Sequence, residues 1–305
     1  MRIGSMFAGY GGLDLGLMQV FPESRPAWHM EIEPGPAHVL AHHYPTVPNL
    51  GDVTKVDWEH VEPVDIITAG YPCQPFSVAG HRKGTNDKRH LWPHVLNAIR
   101  ILRPQFAVFE NVPGHITCGL DTVLADLAGI GWDAQWQTIR ASDVGAPHHR
   151  ERLFILAYPN GKRPQAQRQS GGQAQEIPWD NDLLDFLAGL NSSADIDHEL
   201  RSRYEDYGPA ILTWALATGT PPPPLLVDHP VRSLHPRFPE SKAATNPEFI
   251  EWLMGLPAGW ITQVPGLRRT QMLKALGNGV VPLQAAMAIK ELVEVACGES
   301  IHAAA

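Results

Sequence analysis

Val64-Asp65-Ile66-Ile67-Thr68-Ala69-Gly70-Tyr71-Pro72-Cys73-Gln74-Pro75-Phe76-Ser77 runs a short apolar stretch into a loop stiffened by two prolines around a cysteine. The apolar part reads as a buried strand. A side chain in the loop that leaves it stands at the carboxyl edge of a sheet, where open α/β folds place their chemistry. Cys73 is thereby a candidate nucleophile; an inert, apolar buried thiol suits the same position.

Outward from this segment, apolar runs alternate with amphipathic ones, the pattern of parallel strands joined by crossover helices. Strands are predicted near 2–7, 26–31, 64–69, 106–110 and 152–158, and helices over 12–20, 35–43, 91–102 and 121–129, with Pro93 in a first turn. The segments 132–140 and 152–158 suit an antiparallel edge pair. After Tyr158 the character changes: 159–180 is rich in Gln, Gly, Ser and Pro, and Pro221 to Pro224 with Pro230, Pro236 and Pro239 stiffen a second irregular stretch. Helices are predicted between them at 182–190 and 209–218. Asn246-Pro247 is a helix start, with Asn as N-cap and Pro in the first helical position, leading into 248–255. A last helix is expected at 282–296.

The 305 residues, 44% hydrophobic and 18% charged, can bury a substantial core. Three cysteines, Cys73, Cys118 and Cys297, form neither a disulfide framework nor a paired zinc pattern, which points to a reducing cytoplasm. No signal peptide or membrane span is expected. His42-His43 and His148-His149 lack the cysteine or carboxylate that would complete a metal site, so no metal is expected. The net charge of −8 argues mildly against a polyanionic partner. Local groups run the other way: Arg150, Arg152, Lys162, Arg163 and Arg168 gather in one region, and Arg82, Lys83, Lys88 and Arg89 follow Cys73.

Phe7-Ala8-Gly9-Tyr10-Gly11-Gly12-Leu13-Asp14 joins the first strand to the first helix, and its glycines allow close approach of a nucleotide. Asp14 stands where a dinucleotide fingerprint needs its third glycine, which counts against NAD. Glu31 and Glu33 end the next strand, where a carboxylate can accept hydrogen bonds from a ribose diol, and Asp52 can reach a base edge. Phe106-Ala107-Val108-Phe109 delivers Glu110-Asn111-Val112 to the same sheet edge as Cys73, where a carboxyl can polarise or protonate a ring nitrogen. Arg150 and Arg152, at spacing two, would share one face of an extended strand.

Taken in order, these elements resemble the DNA cytosine-5 methyltransferase family. The resemblance rests on the glycine turn, Gly51-Asp52-Val53-Thr54, Gly70-Tyr71-Pro72-Cys73-Gln74-Pro75-Phe76-Ser77, Glu110-Asn111-Val112, Arg150-Glu151-Arg152 and Gly277-Asn278-Gly279-Val280-Val281-Pro282. Phe249-Ile250-Glu251-Trp252-Leu253-Met254-Gly255-Leu256-Pro257 is similar to bacterial and phage members. His148 departs from the family's usual Gln, and His90 from its usual Gly. The resemblance implies a Rossmann-like, S-adenosylmethionine-dependent methyltransferase fold. A catalytic and cofactor-binding domain would span 1–158 and a loop-rich target-recognition module 159–244, with 245–305 folding back to complete the catalytic domain.

It further implies that Cys73 adds to carbon 6 of a cytosine flipped out of double-stranded DNA, with Glu110 on ring nitrogen 3 and the exocyclic amine. Arg152 would bind the base oxygen and Arg150 would brace the site or a phosphate. Cofactor contacts would come from Phe7, Gly9, Gly11, Glu31, Ile32, Asp52, Pro72, Asn278, Gly279 and Val280, and phosphate contacts from Ser77, Arg82, Lys83 and Arg89. The expected setting is restriction-modification or phage DNA self-modification by a monomer in a bacterial cytoplasm. RNA methylation, a non-catalytic DNA-binding descendant and a Rossmann oxidoreductase are the competing readings.

Overall fold

The computed structural model describes residues 1–72, 91–164, 204–228 and 243–298. Cys73, Ser77, Arg82, Lys83 and Arg89, and the helix expected at 182–190, lie outside the described residues.

Six strands pair in the order β2-β1-β3-β4-β6-β5: β1 (Arg2–Met6), β2 (Arg25–Met30), β3 (Ile66–Ala69), β4 (Phe106–Asn111), β5 (Trp132–Ile139) and β6 (Arg152–Pro159). The first four are mutually parallel. β5 and β6 are antiparallel, as expected, and β6 is also antiparallel to β4, inserting between β4 and the edge. The crossover helices are α1 (Gly12–Val20), α2 (Pro34–His43), α3 (Trp92–Leu102) and α4 (Leu120–Gly129), with Pro93 in the first turn of α3.

The period-two alternation of the strands splits the core between the two faces of the sheet. Ile3, Ile66, Phe106, Val108, Phe154 and Leu156 point to one face, where Leu13 and Leu17 of α1 meet Ala285, Ala288 and Ile289 of the C-terminal helix Pro282–Cys297. Met6, Ile67, Ala107, Phe109 and Ile155 point to the other, covered by Trp92, Val95 and Ile99 of α3 and Leu120 and Val123 of α4. Every residue of β3 is buried, so its sequence is almost wholly apolar. Its exception, Thr68, donates from its hydroxyl to Asp14 Oδ1 at 2.6 Å. Fully burying each large aliphatic or aromatic side chain contributes about 1.5–3 kcal/mol, which fixes the register of the strands and hence the positions of their carboxyl ends.

The described residues fall into two compact units, one comprising 1–140, 150–164 and 278–298, the other 141–149, 204–228 and 243–277. The division differs from the expected segments. Residues 245–277, expected with the sheet, cluster with the second unit, because helix Pro247–Leu253 is tied to helix Gly208–Thr218: Trp214 Nε1 donates to the Trp252 carbonyl at 2.9 Å, and Trp252 Nε1 to that of Thr220 at 3.1 Å. Asn246 caps its helix as expected, accepting from Glu248 N, and its amide donates to the Pro224 carbonyl. A two-stranded ribbon, β7 (Leu226–Asp228) with β8 (Ala243–Thr245), completes this unit together with most of a helix at Arg269–Asn278.

Candidate functional site

At the carboxyl edge of the parallel strands, the turn after β1 places Phe7, Gly9 and Gly11 in left-handed backbone, at φ 54°, 55° and 89°. That region favours glycine, and Phe7 occupies it at a conformational cost. A Cβ on Gly9 would meet nothing within 4 Å, so the turn leaves an open cradle at the backbone. Gly9 N donates to Glu31 Oε2 at 2.8 Å, and Glu33 N to Glu31 Oε1 at 2.7 Å. Each carboxylate oxygen keeps capacity for a further donor. Burial pushes the Glu31 carboxyl above its ordinary range, against the pull of these amides.

Asn49 holds the same residue from the other side. Its Oδ1 accepts from Glu31 N at 3.0 Å and its Nδ2 donates to Glu31 O at 2.9 Å. Ile32 is 69% exposed beside this carboxylate, an apolar surface without a covering side chain. Asp52 is engaged locally: its Oδ1 accepts from Thr54 N at 3.0 Å and Thr54 Oγ1 at 2.8 Å, which holds its carboxyl below the usual range.

Glu110 is the penultimate residue of β4, beside the end of β3, where the pairing of Ala69 with Phe109 brings it next to Gly70. A Cβ on Gly70 would lie 3.6 Å from both Glu110 Oε2 and the Phe7 carbonyl oxygen, so two strand ends and the glycine turn meet here. Arg152 Nε pairs with Glu110 Oε1 at 2.9 Å, the two side chains being 18% and 13% exposed. Burial pushes the Glu110 carboxyl up, and the guanidiniums of Arg152 and then Arg150 pull it back without cancelling the rise.

The expectation that Arg150 and Arg152 share a strand face is corrected. Arg152 opens β6, but Arg150 precedes the strand in left-handed backbone at φ 33°. The turn sends the two guanidiniums to different partners: Arg152 to Glu110, Arg150 to the Gly279 carbonyl. Burial, with Arg152 beside it, holds the Arg150 guanidinium below its ordinary value.

The C-terminal segment packs into the glycine turn. Tyr10 Oη donates to the Val280 carbonyl at 2.7 Å, and a Cβ on Gly279 would overlap the Tyr10 ring. The structure therefore gathers Phe7, Gly9, Gly11, Glu31, Pro72, Glu110, Arg150, Arg152, Asn278, Gly279 and Val280 into one unit at one end of the sheet. Asn49, Tyr10 and Gln284 join them without having been singled out. Gln284 Nε2 donates to both Ile139 O and Arg150 O at 2.7 Å. None of the three carries a local signal beyond Tyr10 standing inside the glycine turn. Among the described residues, no group of three or more His, Cys, Asp or Glu is placed to hold a metal ion, and no helix is long and apolar enough to cross a membrane.

A family model described as C-5 cytosine-specific DNA methylase matches residues 1–206. The chain is 33% identical over 164 residues to Type II methyltransferase M.NlaX of Neisseria lactamica, a match covering 52% of each chain. It is 27% identical over 299 residues to Type II methyltransferase M.BsuFI of Bacillus subtilis, covering 93% of this chain and 70% of that one. The matched stretch thus spans about half the length of the first relative. Among solved structures, the S. pombe Dnmt2 methyltransferase superposes with a TM-score of 0.63 at 17% identity, covering 97% of this chain and 99% of that one. That likeness, with the sheet above, shows a Rossmann-like methyltransferase fold.

Proposed function

From the chain's membership of the C-5 cytosine-specific DNA methylase family, we propose that it transfers a methyl group from S-adenosylmethionine to carbon 5 of cytosine in double-stranded DNA, as the modification arm of a restriction-modification system or in phage self-modification. The observation that carries this reading is the Glu110–Arg152 pair at 2.9 Å, buried at the end of the strand beside the one that leads through Pro72 to Cys73.

The residues fit the cofactor. The open cradle at Gly9 suits a close backbone approach, the Glu31 carboxylate keeps acceptor sites for a ribose diol, and exposed Ile32 offers an apolar face for a base. Phe7, Gly11, Asp52, Pro72, Asn278, Gly279 and Val280 would complete the site. When bound, S-adenosylmethionine supplies an electrophilic methyl group.

The chain's own part is to make carbon 5 nucleophilic. The Cys73 thiolate adds to carbon 6 of the extruded base, forming a carbon–sulfur bond and moving the ring electron pair toward nitrogen 3. Glu110, its carboxyl raised by burial, hydrogen-bonds nitrogen 3 and the exocyclic amine and stabilises the electron-rich ring. Arg152 faces the base oxygen, and Arg150 braces the site through Gly279. After carbon 5 is methylated a base takes its proton, the carbon–hydrogen electron pair re-forms the ring double bond between carbons 5 and 6, and the carbon–sulfur pair leaves with the thiolate. Extruding the base costs about a few kcal/mol, offset by contacts to the phosphates. Ser77, Arg82, Lys83 and Arg89 are proposed for that role, and the second unit for target recognition.

Sequencing that reports 5-methylcytosine, on DNA from cells with and without the protein, tests the activity. A new mark at a defined site supports it; an unchanged methylome overturns it. Duplex DNA in which 5-fluorocytosine replaces cytosine tests the covalent step, because fluorine cannot leave as a cation and the adduct persists.

A further inference from the structure

We propose that Tyr71 and His115 form a positioning pair that sets the entry of the Cys73 segment and couples it to the strand end carrying Glu110. The proposal rests on the assignment of Cys73 as nucleophile. Tyr71 is 3% exposed, and its ring is enclosed by those of Trp92, Phe109 and His115 at centroid distances of 5.3, 6.2 and 5.6 Å. Phenylalanine would fill such a slot without a polar atom to satisfy; a buried tyrosine needs a partner for its hydroxyl. That partner is His115 Nε2, at 2.9 Å.

The direction of the bond is fixed by chemistry. His115 Nδ1 lies 3.1 Å from the Cys118 carbonyl oxygen, which only accepts, so Nδ1 carries the proton. In the neutral ring Nε2 is then bare, and the Tyr71 hydroxyl donates to it. The main chain of Tyr71 is tied as well, its carbonyl accepting from Asn111 Nδ2 at 3.1 Å. Tyr71 is thus held at both ends, by Asn111, the last residue of β4, and by His115 in the turn just after it.

Only Pro72 separates Tyr71 from Cys73. Proline fixes its own φ and confines the preceding residue to extended backbone, so few soft torsions lie between the anchored tyrosine and the sulfur. A displacement at Tyr71 is therefore passed on to the nucleophile rather than absorbed. Misplacing a reacting group by about 1 Å can cost about a hundredfold in rate, and the loss of one of several restraints should give a part of that.

The test is single-turnover trapping on duplex DNA with 5-fluorocytosine in place of cytosine, at saturating S-adenosylmethionine, comparing parent, Tyr71→Phe, His115→Asn and the double variant. Asparagine retains a donor for the Cys118 carbonyl and removes the acceptor for Tyr71. Each single variant should trap about tenfold more slowly, with DNA and cofactor affinities close to the parent and a melting temperature lowered by the loss of one buried hydrogen bond. The double variant should lose no more than either single one, and His115→Gln, which restores an acceptor, should recover most of the rate. Trapping at the parental rate by both single variants, or independent losses that multiply, would overturn the pair. If Tyr71→Phe does not fold, His115→Asn against His115→Gln decides alone. A parent that never traps, or Cys73→Ser labelling DNA as fast as the parent, sinks the nucleophile assignment instead, and the pair's role with it.

Discussion

Gly277 and Gly279 flank Asn278, the last residue of helix Arg269–Asn278, yet alanine should act oppositely at the two. Gly279 lies outside the left-handed region, so alanine costs no backbone strain there. The cost is steric. Its Cβ would stand 2.5 Å from Tyr10 Oη and closer still to the ring carbons. Tyr10 is fully buried and its hydroxyl is committed to Val280 O, while Gly12 lies against the same ring and the same carbonyl, so the ring has no way to slide aside. Overpacking costs about 1–3 kcal/mol. Losing the buried tyrosine hydrogen bond adds about 1–3 kcal/mol, so Gly279→Ala should destabilise by about 2–6 kcal/mol. A Cβ at Gly277 meets nothing within 4 Å inside helix Arg269–Asn278. Gly277→Ala should be neutral or stabilising by up to about 1 kcal/mol. Urea denaturation of the full chain reads both, and titration of S-adenosylmethionine should show weaker binding for Gly279→Ala alone. In combination with Tyr10→Ala, the loss at Gly279 should be less than additive. Equal stability of Gly279→Ala and the parent, or greater damage at Gly277, would refute the packing argument.

Glu110→Gln keeps shape and removes the carboxyl; kcat at saturating DNA and cofactor should fall about 10²–10³-fold with KM little changed, and a near-parental kcat would remove Glu110 from the chemistry. His29 and His115 are both held below the ordinary histidine value by burial, so on acidification the unfolded chain binds protons before the folded one. Stability should be intact above about pH 6.5 and fall below it, by up to about 1.4 kcal/mol per pH unit for each histidine. Asp14, Glu31 and Glu110, raised by burial, act in the opposite sense, their contribution declining as pH rises above the ordinary carboxylate range. Melting curves through the weakly acid range should show the histidine slope, and His115→Gln should flatten it. In the second unit the Glu251 carboxylate accepts from Gly259 N, Ile261 N, Thr262 N and Thr262 Oγ1 at 2.6–3.0 Å. Glu251→Gln leaves one accepting oxygen and should cost about 2–4 kcal/mol, seen as faster hydrogen exchange at those three amides; parental exchange would show the network to be idle.

The sheet and its crossover helices were legible because burial on both faces writes itself into local composition: Ile66 to Ala69 and Phe106 to Phe109 read as strands without reference to anything distant. The glycine turn and the strand ends at Glu31 and Glu110 followed. What sequence could not give were pairings made only in three dimensions, such as Asn49 with Glu31, Tyr71 with His115, and Tyr10 with Val280. Helix Arg269–Asn278 escaped because only Ala275 and Leu276 are buried, leaving almost no apolar periodicity to read. The unit boundary at 277/278 escaped for a related reason, since it depends on Trp214 and Trp252 finding partners distant in sequence.

Between Arg140 and Arg150 the chain leaves the sheet-bearing unit and returns to it. An excursion placed directly before two guanidiniums at the site would, on its own, leave their position to whatever the excursion does. Gln284 removes that freedom. Fully buried on the C-terminal helix, it donates to the carbonyl just before the departure, at Ile139, and to the one at the return, Arg150. Arg150 in turn grips Gly279, and Gly279 lies on Tyr10 in the glycine turn. The point of departure, the point of return and the glycine turn are thus fastened to one another through a segment more than a hundred residues downstream. That is why the C-terminal stretch, remote from Glu110 in sequence, is needed to fix where Arg152 meets it, and why damage at Gly279 should be felt in cofactor affinity as well as in stability.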